Sequence, residues 1–255
     1  MVPADALIEL HFHCLPGIDD GPADWDEAVA LCRAAADEGT GTIVATPHVL
    51  RDPWLNEDPK ARDAQISKLN ALLGGRPAIL PGCEYWFTSD MLELLEKGDA
   101  GPLTTLNRGR YLLVEFEPGN VPSQADSTFH ELGLIGVTPV VAHPERNLVF
   151  ARNPARLGDL VERGAVVQVT AAGLLGELGL NIQQTAVGFF EAGMLHLVAS
   201  DAHSLRVMPP RLAAARDWVR RSWGDAVEAA LFDLNPKAVL ASQPLPFMGP
   251  GPGSG

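Results

Sequence analysis

The chain has 255 residues, 46% of them hydrophobic and 20% charged, a balance that builds a core and excludes wholesale disorder. Nineteen basic against 32 acidic residues leave a net charge of −13, which argues against nucleic acid or anionic lipid as a partner, since both are bound through clustered Lys and Arg. The three cysteines define no disulfide framework, so a reducing compartment, the cytoplasm, is expected.

The first stretch, MVPADALIELHFH, lacks a basic start and polar residues break its apolar run early. It is therefore read as folded protein rather than as a signal peptide. No apolar run is long enough for a membrane span, so no membrane insertion is expected. A strand is predicted at Leu7–Phe12. A helix follows over Asp24 to Glu38, with Asp24 as N-cap and Glu27 three residues on in a capping-box pattern. Gly39 stops it before a strand at Thr42–Thr46. Further strands are predicted at Ala78–Cys83, Tyr111–Phe116 and Thr138–Ala142. Asn153-Pro154 is an N-cap and N1 proline for a helix ending at Gly164, before a strand at Ala165–Thr170. A helix ending near Gly193 precedes the last strand, Leu195–Ser200. Alternating strands and helices give an α/β protein with a parallel sheet. At this length a closed barrel is favoured, with an open doubly wound sheet as the alternative. Neither a Gly-x-Gly-x-x-Gly after a strand nor a phosphate loop is present. Residues 1–246 read as a single domain, and the Gly/Pro-rich tail 247–255 is expected to be disordered.

The chemistry gathers at the strand ends. The first strand runs into His11 and His13, which alternation puts on one face. The second ends at His48, the third at Glu84, the fourth at Glu115, the fifth at His143, and the seventh at Asp201 and His203. In a parallel barrel these ends form the active-site rim. With Asp20 from the first loop they make nine candidate ligands, too many for one tetrahedral ion and enough for two or three. Imidazole with carboxylate suits Mn, Fe, Co or Zn. Any one of these residues alone has a plain structural explanation; the concentration of five of the seven histidines at one rim carries the inference. His130, in a helix, and His196, within a strand, read as packing or surface residues.

Several stretches resemble a known family: His11-Phe-His13, Leu15-Pro-Gly-Ile-Asp-Asp-Gly-Pro22, Ile43-Val-Ala-Thr-Pro-His48, Gly82-Cys-Glu84, Tyr111-Leu-Leu-Val-Glu-Phe116, Pro139-Val-Val-Ala-His-Pro-Glu-Arg146, Gln168-Val-Thr170 and Ala199-Ser-Asp-Ala-His203. The chain is similar to the polymerase-and-histidinol-phosphatase (PHP) superfamily. Within it, it is most like the metal-dependent protein-tyrosine phosphatases of bacterial capsule and exopolysaccharide loci, the CpsB/YwqE type. The resemblance implies a distorted (β/α)7 barrel and a trinuclear centre, Mn first among the metals. It implies that the nine residues are the ligands, Glu84 bridging, and that Arg146 contacts phosphate. The family's Asp before His-x-His is Glu9 here, and its arginine before Pro-Pro is Met208. Arg206 or Arg211 is the expected substitute, with Arg206, three residues after His203, matching the offset of Arg146 from His143. Tyr85-Trp86-Phe87 is read as an aromatic lip with Tyr85 against the substrate ring, or as core.

The implied activity is hydrolysis of phosphotyrosine by a metal-bridging hydroxide, on the tail of a bacterial tyrosine kinase. A small-molecule phosphoesterase, on histidinol phosphate for example, a PHP exonuclease and a non-catalytic metal-stabilised binding protein are the alternatives. Thiol chemistry is disfavoured: six residues after Cys14, Cys32 and Cys83 come Asp20, Glu38 and Ser89, where a thiol phosphatase needs Arg. No Gly-x-Ser-x-Gly is present.

Overall fold

The computed structural model describes residues 6–98 and 101–249. Its strands are β1 (Leu7–Phe12), β2 (Thr40–Ala45), β3 (His48–Val49), β4 (Ala78–Pro81), β5 (Glu84–Trp86), β6 (Tyr111–Glu115), β7 (Thr138–Ala142), β8 (Val166–Thr170) and β9 (Leu197–Ala199). They lie in a sheet of order β1-β2-β4 and a sheet of order β3-β5-β6-β7-β8-β9, every pair parallel.

The two sheets are one barrel interrupted twice. β2 and β4 pair, and β3 and β5 just beyond them pair again, so β2 with β3 is one strand in two pieces, and β4 with β5 another. Pro47 lies at one break and Pro81-Gly82 at the other; proline has no N–H for the ladder. Gly82 is required there, because a Cβ would meet Val44 Cγ1 at 2.7 Å and the Ala45 carbonyl at 3.2 Å. The second and third predicted strands therefore stop short, at Ala45 and Pro81, and the chain resumes strand beyond their predicted limits, at His48 and Glu84. With each couple counted once, the barrel has seven positions. It closes between β1 and β9 by a bridge from Phe12 to Ala202 and by Asp201 N–H donating to the His11 carbonyl at 3.1 Å. Glu9 reinforces this seam: both its carboxylate oxygens accept from Ser200 N–H at 3.0 Å. The fold is a distorted (β/α)7 barrel.

Leu10, Val44, Leu80, Leu113, Val140, Val166 and Leu197, one from each barrel position, pack together as its interior. On the outer face Leu112, Val114, Val141 and Val167 pack against Phe129, Leu157 and Phe189 of the covering helices. The alternation of the strands is thus what separates the two cores. The helix Trp25–Asp37 begins as predicted, Asp24 accepting from Asp26 and Glu27 N–H. Glu27 reaches back to Ala23 N–H at 2.9 Å, one residue beyond the usual capping box. Asn153 precedes the helix Pro154–Glu162, but its side chain makes no capping bond.

The helix Asn235–Leu240 plugs the N-terminal end of the barrel. Val239 joins the interior cluster, and Tyr111 Oη donates to the Gln243 carbonyl at 2.6 Å. The disorder expected from residue 247 onward starts too early. Asn235 holds Phe247 through both its N–H (3.1 Å) and its carbonyl (2.8 Å), and residues 250–255 lie outside the described residues. Among the described residues no helix is long and apolar enough to cross a membrane.

Candidate metal centre

With one end plugged, the C-terminal end of the barrel is the open mouth. β1 delivers His11 and, one residue beyond it, His13; β3, β5 and β6 deliver His48, Glu84 and Glu115. After β7 and β9 the chain turns sharply. His143 and Asp201 take left-handed backbone, with φ of 34° and 55°, a region that His and Asp tolerate better than most residues.

The structure brings all nine residues named from the sequence to one place. Their ligand-type atoms fall into four overlapping groups, each within 4.8 Å: His13, Asp20, His48 and His203; His11, Glu84 and His143; His11, His13 and Asp201; His48, Glu84 and Glu115. Glu84 is central, its Oε2 2.9 Å from His48 Nδ1 and its Oε1 2.9 Å from His143 Nε2.

The donor set fits divalent metal ions. His11 Nδ1 donates to Gln168 Oε1 at 2.9 Å, His13 Nδ1 to Asp19 Oδ2 at 2.8 Å, and His203 Nδ1 to the Asp201 carbonyl at 2.8 Å. Each bond fixes the ring and leaves Nε2 to face the centre, the arrangement usual for metal-ligating histidine. Glu84 Oε2 and Asp201 Oδ1 are buried, 2.9 Å from His48 Nδ1 and 3.0 Å from His11 Nε2, nitrogens that can donate to them only when protonated. A buried carboxylate oxygen without a donor or cation beside it is costly, and a metal ion removes that cost. In the protein alone, protons take the cation's part. Burial opposes charge on His11, but Glu84 and Asp201 beside it push its pKa up to about 10. Burial and repulsion from Glu84 raise Glu115 to about 8. Metal binding would release such protons.

Arg146 donates to Asp201 Oδ2 at 2.7 Å and lines a cavity of about 290 Å³ over the cluster. Glu145, beside it, is buried and accepts from Thr170 N–H and Oγ1 at 2.8 and 2.7 Å, which fastens the His143–Arg146 turn to β8.

Two sequence expectations are corrected. Arg206 does not reach this cavity. His203 and Ser204 N–H both donate to the Met208 carbonyl, and the tight turn sets Val207 and Met208 on the cavity wall instead. Arg206 lines an adjoining groove with Glu27, Leu31 and Leu205. Arg211 pairs with Glu177 at 3.1 Å. Tyr85 is not a lip residue: it is fully buried in the outer core, its hydroxyl bonded to Thr88. Alternation on β5 sends Tyr85 toward the helices and Glu84 and Trp86 to the opposite face. Of the remaining histidines, His130 is exposed, and His196 is buried with Nδ1 accepting from Val167 N–H at 3.0 Å.

The profile of the family described as capsular polysaccharide synthesis, CpsB/CapC, matches residues 7–241. The chain belongs to the CpsB/CapC family. Tyrosine-protein phosphatase YwqE of Bacillus subtilis is 37% identical over 203 residues, 78% of each chain. Tyrosine-protein phosphatase CpsB of Streptococcus pneumoniae is 30% identical over 246 residues, 93% of this chain and 99% of its own. A solved structure from work on YwqE and CpsB, described as unique metal-dependent tyrosine phosphatases, superposes with a TM-score of 0.88 at 34% identity, covering 93% of this chain and 96% of that one. An organophosphorus hydrolase of Deinococcus radiodurans, at 16% identity and a TM-score of 0.54 over 92% of each chain, shares the fold alone. In CpsB/CapC terms, the nine clustered residues all fall inside the matched region.

Sequence reasoning missed the residues that brace or adjoin the candidate ligands. Asp19 and Gln168 stand inside stretches already singled out, but a carboxylate beside Asp20 and an amide on a strand give no sign of which imidazole they hold. Arg51 carried a readable signal: it follows His48 by three residues, the offset that drew attention to Arg146 and Arg206.

Proposed function

We infer that this protein is a metal-dependent tyrosine-protein phosphatase. The observation that carries the reading is the nine-residue cluster at the barrel mouth, joined to family membership. His11, His13, Asp20, His48, Glu84, Glu115, His143, Asp201 and His203 would hold two or three divalent ions, Mn foremost, with Glu84 shared between them. Bound ions of this kind acidify water and neutralise phosphoryl oxygens.

The chain's own residues supply the rest. Asp19, Gln168 and the Asp201 carbonyl keep three imidazoles oriented before substrate arrives. Arg146, in its fork geometry, would hold phosphoryl oxygens and keep that charge neutralised through the reaction. The four carboxylates of the cluster alone would repel a phosphate dianion, so substrate binding depends on the cations opposite them. An aryl substrate suits this site, since a phenol of pKa about 10 leaves with less need of a proton than an alcohol.

The thiols are unsuited to the chemistry. Cys14, Cys32 and Cys83 are free and buried, and burial pushes Cys83 up, the reverse of an activated nucleophile. Three unpaired thiols do agree with a cytoplasmic setting. The capsule connection of the family suits, as substrate, the phosphotyrosine tail of a bacterial tyrosine kinase.

The test is hydrolysis of a phosphotyrosine peptide and of histidinol phosphate, by protein stripped with chelator and then resupplied with Mn. Stripped protein should be inactive, and Mn should restore peptide hydrolysis in preference to histidinol phosphate. Full activity in protein shown by elemental analysis to be metal-free would sink the reading, and a preference for histidinol phosphate would move it to the small-molecule phosphoesterases.

A further inference from the structure

We propose that Arg51 is the second guanidinium of the substrate clasp, gripping the phosphoryl group from the wall of the mouth opposite Arg146. The proposal rests on the phosphatase reading and gives to Arg51, on a different strand end, the role expected of Arg206. Arg51 and Arg146 are the two arginines lining the metal cavity. Arg51 follows β3 and Arg146 follows β7. In the barrel order β3-β5-β6-β7 they stand three positions apart one way round and four the other, so they face each other across the mouth.

The surroundings of Arg51 prepare it for an anion. Its guanidinium lies 5.0 Å from the ring of Trp86 and 5.7 Å from that of Trp54. Trp54 in turn stacks on His48, rings 5.4 Å apart and 17° from parallel. Two indoles hold the guanidinium at a set position with less rotamer freedom to lose on binding. Its side chain is 28% exposed, open enough to meet a ligand in the cavity. Arg51 Nη1 now donates to His48 Nε2 at 2.7 Å and lies 3.1 Å from Glu115 Oε2. Both partners are candidate ligands. A neutral imidazole has a single acceptor lone pair, so His48 bound to a metal ion can no longer accept from Arg51, and charge drawn from Glu115 to the ion weakens its hold; loading the centre thus releases Arg51, still braced by the indoles, toward phosphoryl oxygens. Arg146 likewise rests on a candidate ligand, donating to Asp201 Oδ2 at 2.7 Å. Each arginine is thus parked on a ligand of the centre.

The experiment compares wild type, Arg51→Ala and Arg51→Lys, all loaded with Mn and checked for metal content. Calorimetry gives the Kd of inorganic phosphate, and kinetics give KM and kcat on a phosphotyrosine peptide. In Arg51→Ala, phosphate Kd and peptide KM should both rise by about tenfold or more, with kcat changed less than about threefold and metal content unchanged, as for loss of one charge-assisted contact. Arg51→Lys should recover part of the phosphate affinity, since a lysine restores the charge without the fork. Phosphate Kd within twofold of wild type in metal-replete Arg51→Ala would overturn the proposal. If Arg51→Ala loses metal, Arg51→Lys decides: full metal with wild-type Kd and KM would assign Arg51 to bracing His48 and would also overturn it. Calorimetry does not require turnover, so a wild type that binds phosphate but hydrolyses nothing would count against the phosphatase reading and leave the Arg51 result standing.

Discussion

Arg146 and His196 show how much one buried or half-buried group can carry. The Arg146 guanidinium stands over the cluster at 37% side-chain exposure, so its ion pair is worth little, and the proposed reading puts its value in holding a transferring phosphoryl group. Arg146→Ala should lower kcat/KM by about ten- to a thousandfold, roughly 1.4–4 kcal/mol, with metal content unchanged; near-wild-type kinetics in the metal-loaded variant would remove it from the site. His196 works on stability. Burial lowers its pKa from the usual 6.5 to about 4, because its charged form has no water and no carboxylate to meet. The folded state thus binds fewer protons than the unfolded chain between those values, so stability rises with pH there. The contribution is complete above pH 6.5 and is lost as pH falls toward 4, about 3 kcal/mol in all. Urea titrations at a series of pH values should show this slope, and His196→Gln should flatten it by that amount. An equal slope in both proteins would contradict the assignment. At this scale the sequence was legible where a residue type is rare and its position tells. Histidines and carboxylates at strand ends announced themselves, whereas Asp19, Gln168 and Arg51 look like ordinary polar residues until the partner across the mouth is seen.

The elements were legible in kind and less so in their joints. The first and fifth predicted strands have the observed limits, Leu7–Phe12 and Thr138–Ala142, because apolar alternation and flanking breakers both mark them. The second and third predicted strands stop at Ala45 and Pro81 and resume as β3 and β5, beside Pro47 and Pro81, which offer no N–H, and where Gly82 comes close to Val44 and Ala45, a contact between segments far apart in sequence. His48 and Glu84 sit just after those breaks, so the interruption sets where they project. The tail is a similar case. Phe247-Met-Gly249 has no pattern of its own, and only Asn235 shows why Phe247 is held. That side chain bonds the His196 carbonyl at 2.8 Å as well as Phe247. Asn235→Ala should therefore cost about 1–3 kcal/mol through stranded buried polar groups, seen as a lower urea midpoint, with kcat/KM at 25 °C unchanged. A loss of activity without loss of stability would show that the plug does more than close the barrel.

For the molecule as a whole, the nine candidate ligands would link stability to metal. Ligands drawn from β1, β3, β5 and β6 and from the turns after β7 and β9 can be gathered only in the folded chain, so an ion that binds them draws the equilibrium toward the native state. Free Mn at about 100 times its Kd should add about 2.7 kcal/mol, or roughly 5–10 °C in Tm for a chain of this size. A thermal scan against Mn concentration reads this directly, and a Tm indifferent to Mn would mean that the cluster does not bind it. The plug and the seam have a practical consequence of another kind. Leu7 starts β1 at the plugged end, and Phe247 is pinned by Asn235 to that same end. Both ends of the described chain therefore leave the body on the side away from the mouth. An affinity handle, a fluorescent reporter or a surface tether grafted beside Leu7 or Phe247 starts from the face opposite the mouth, which leaves the mouth open to a phosphorylated partner.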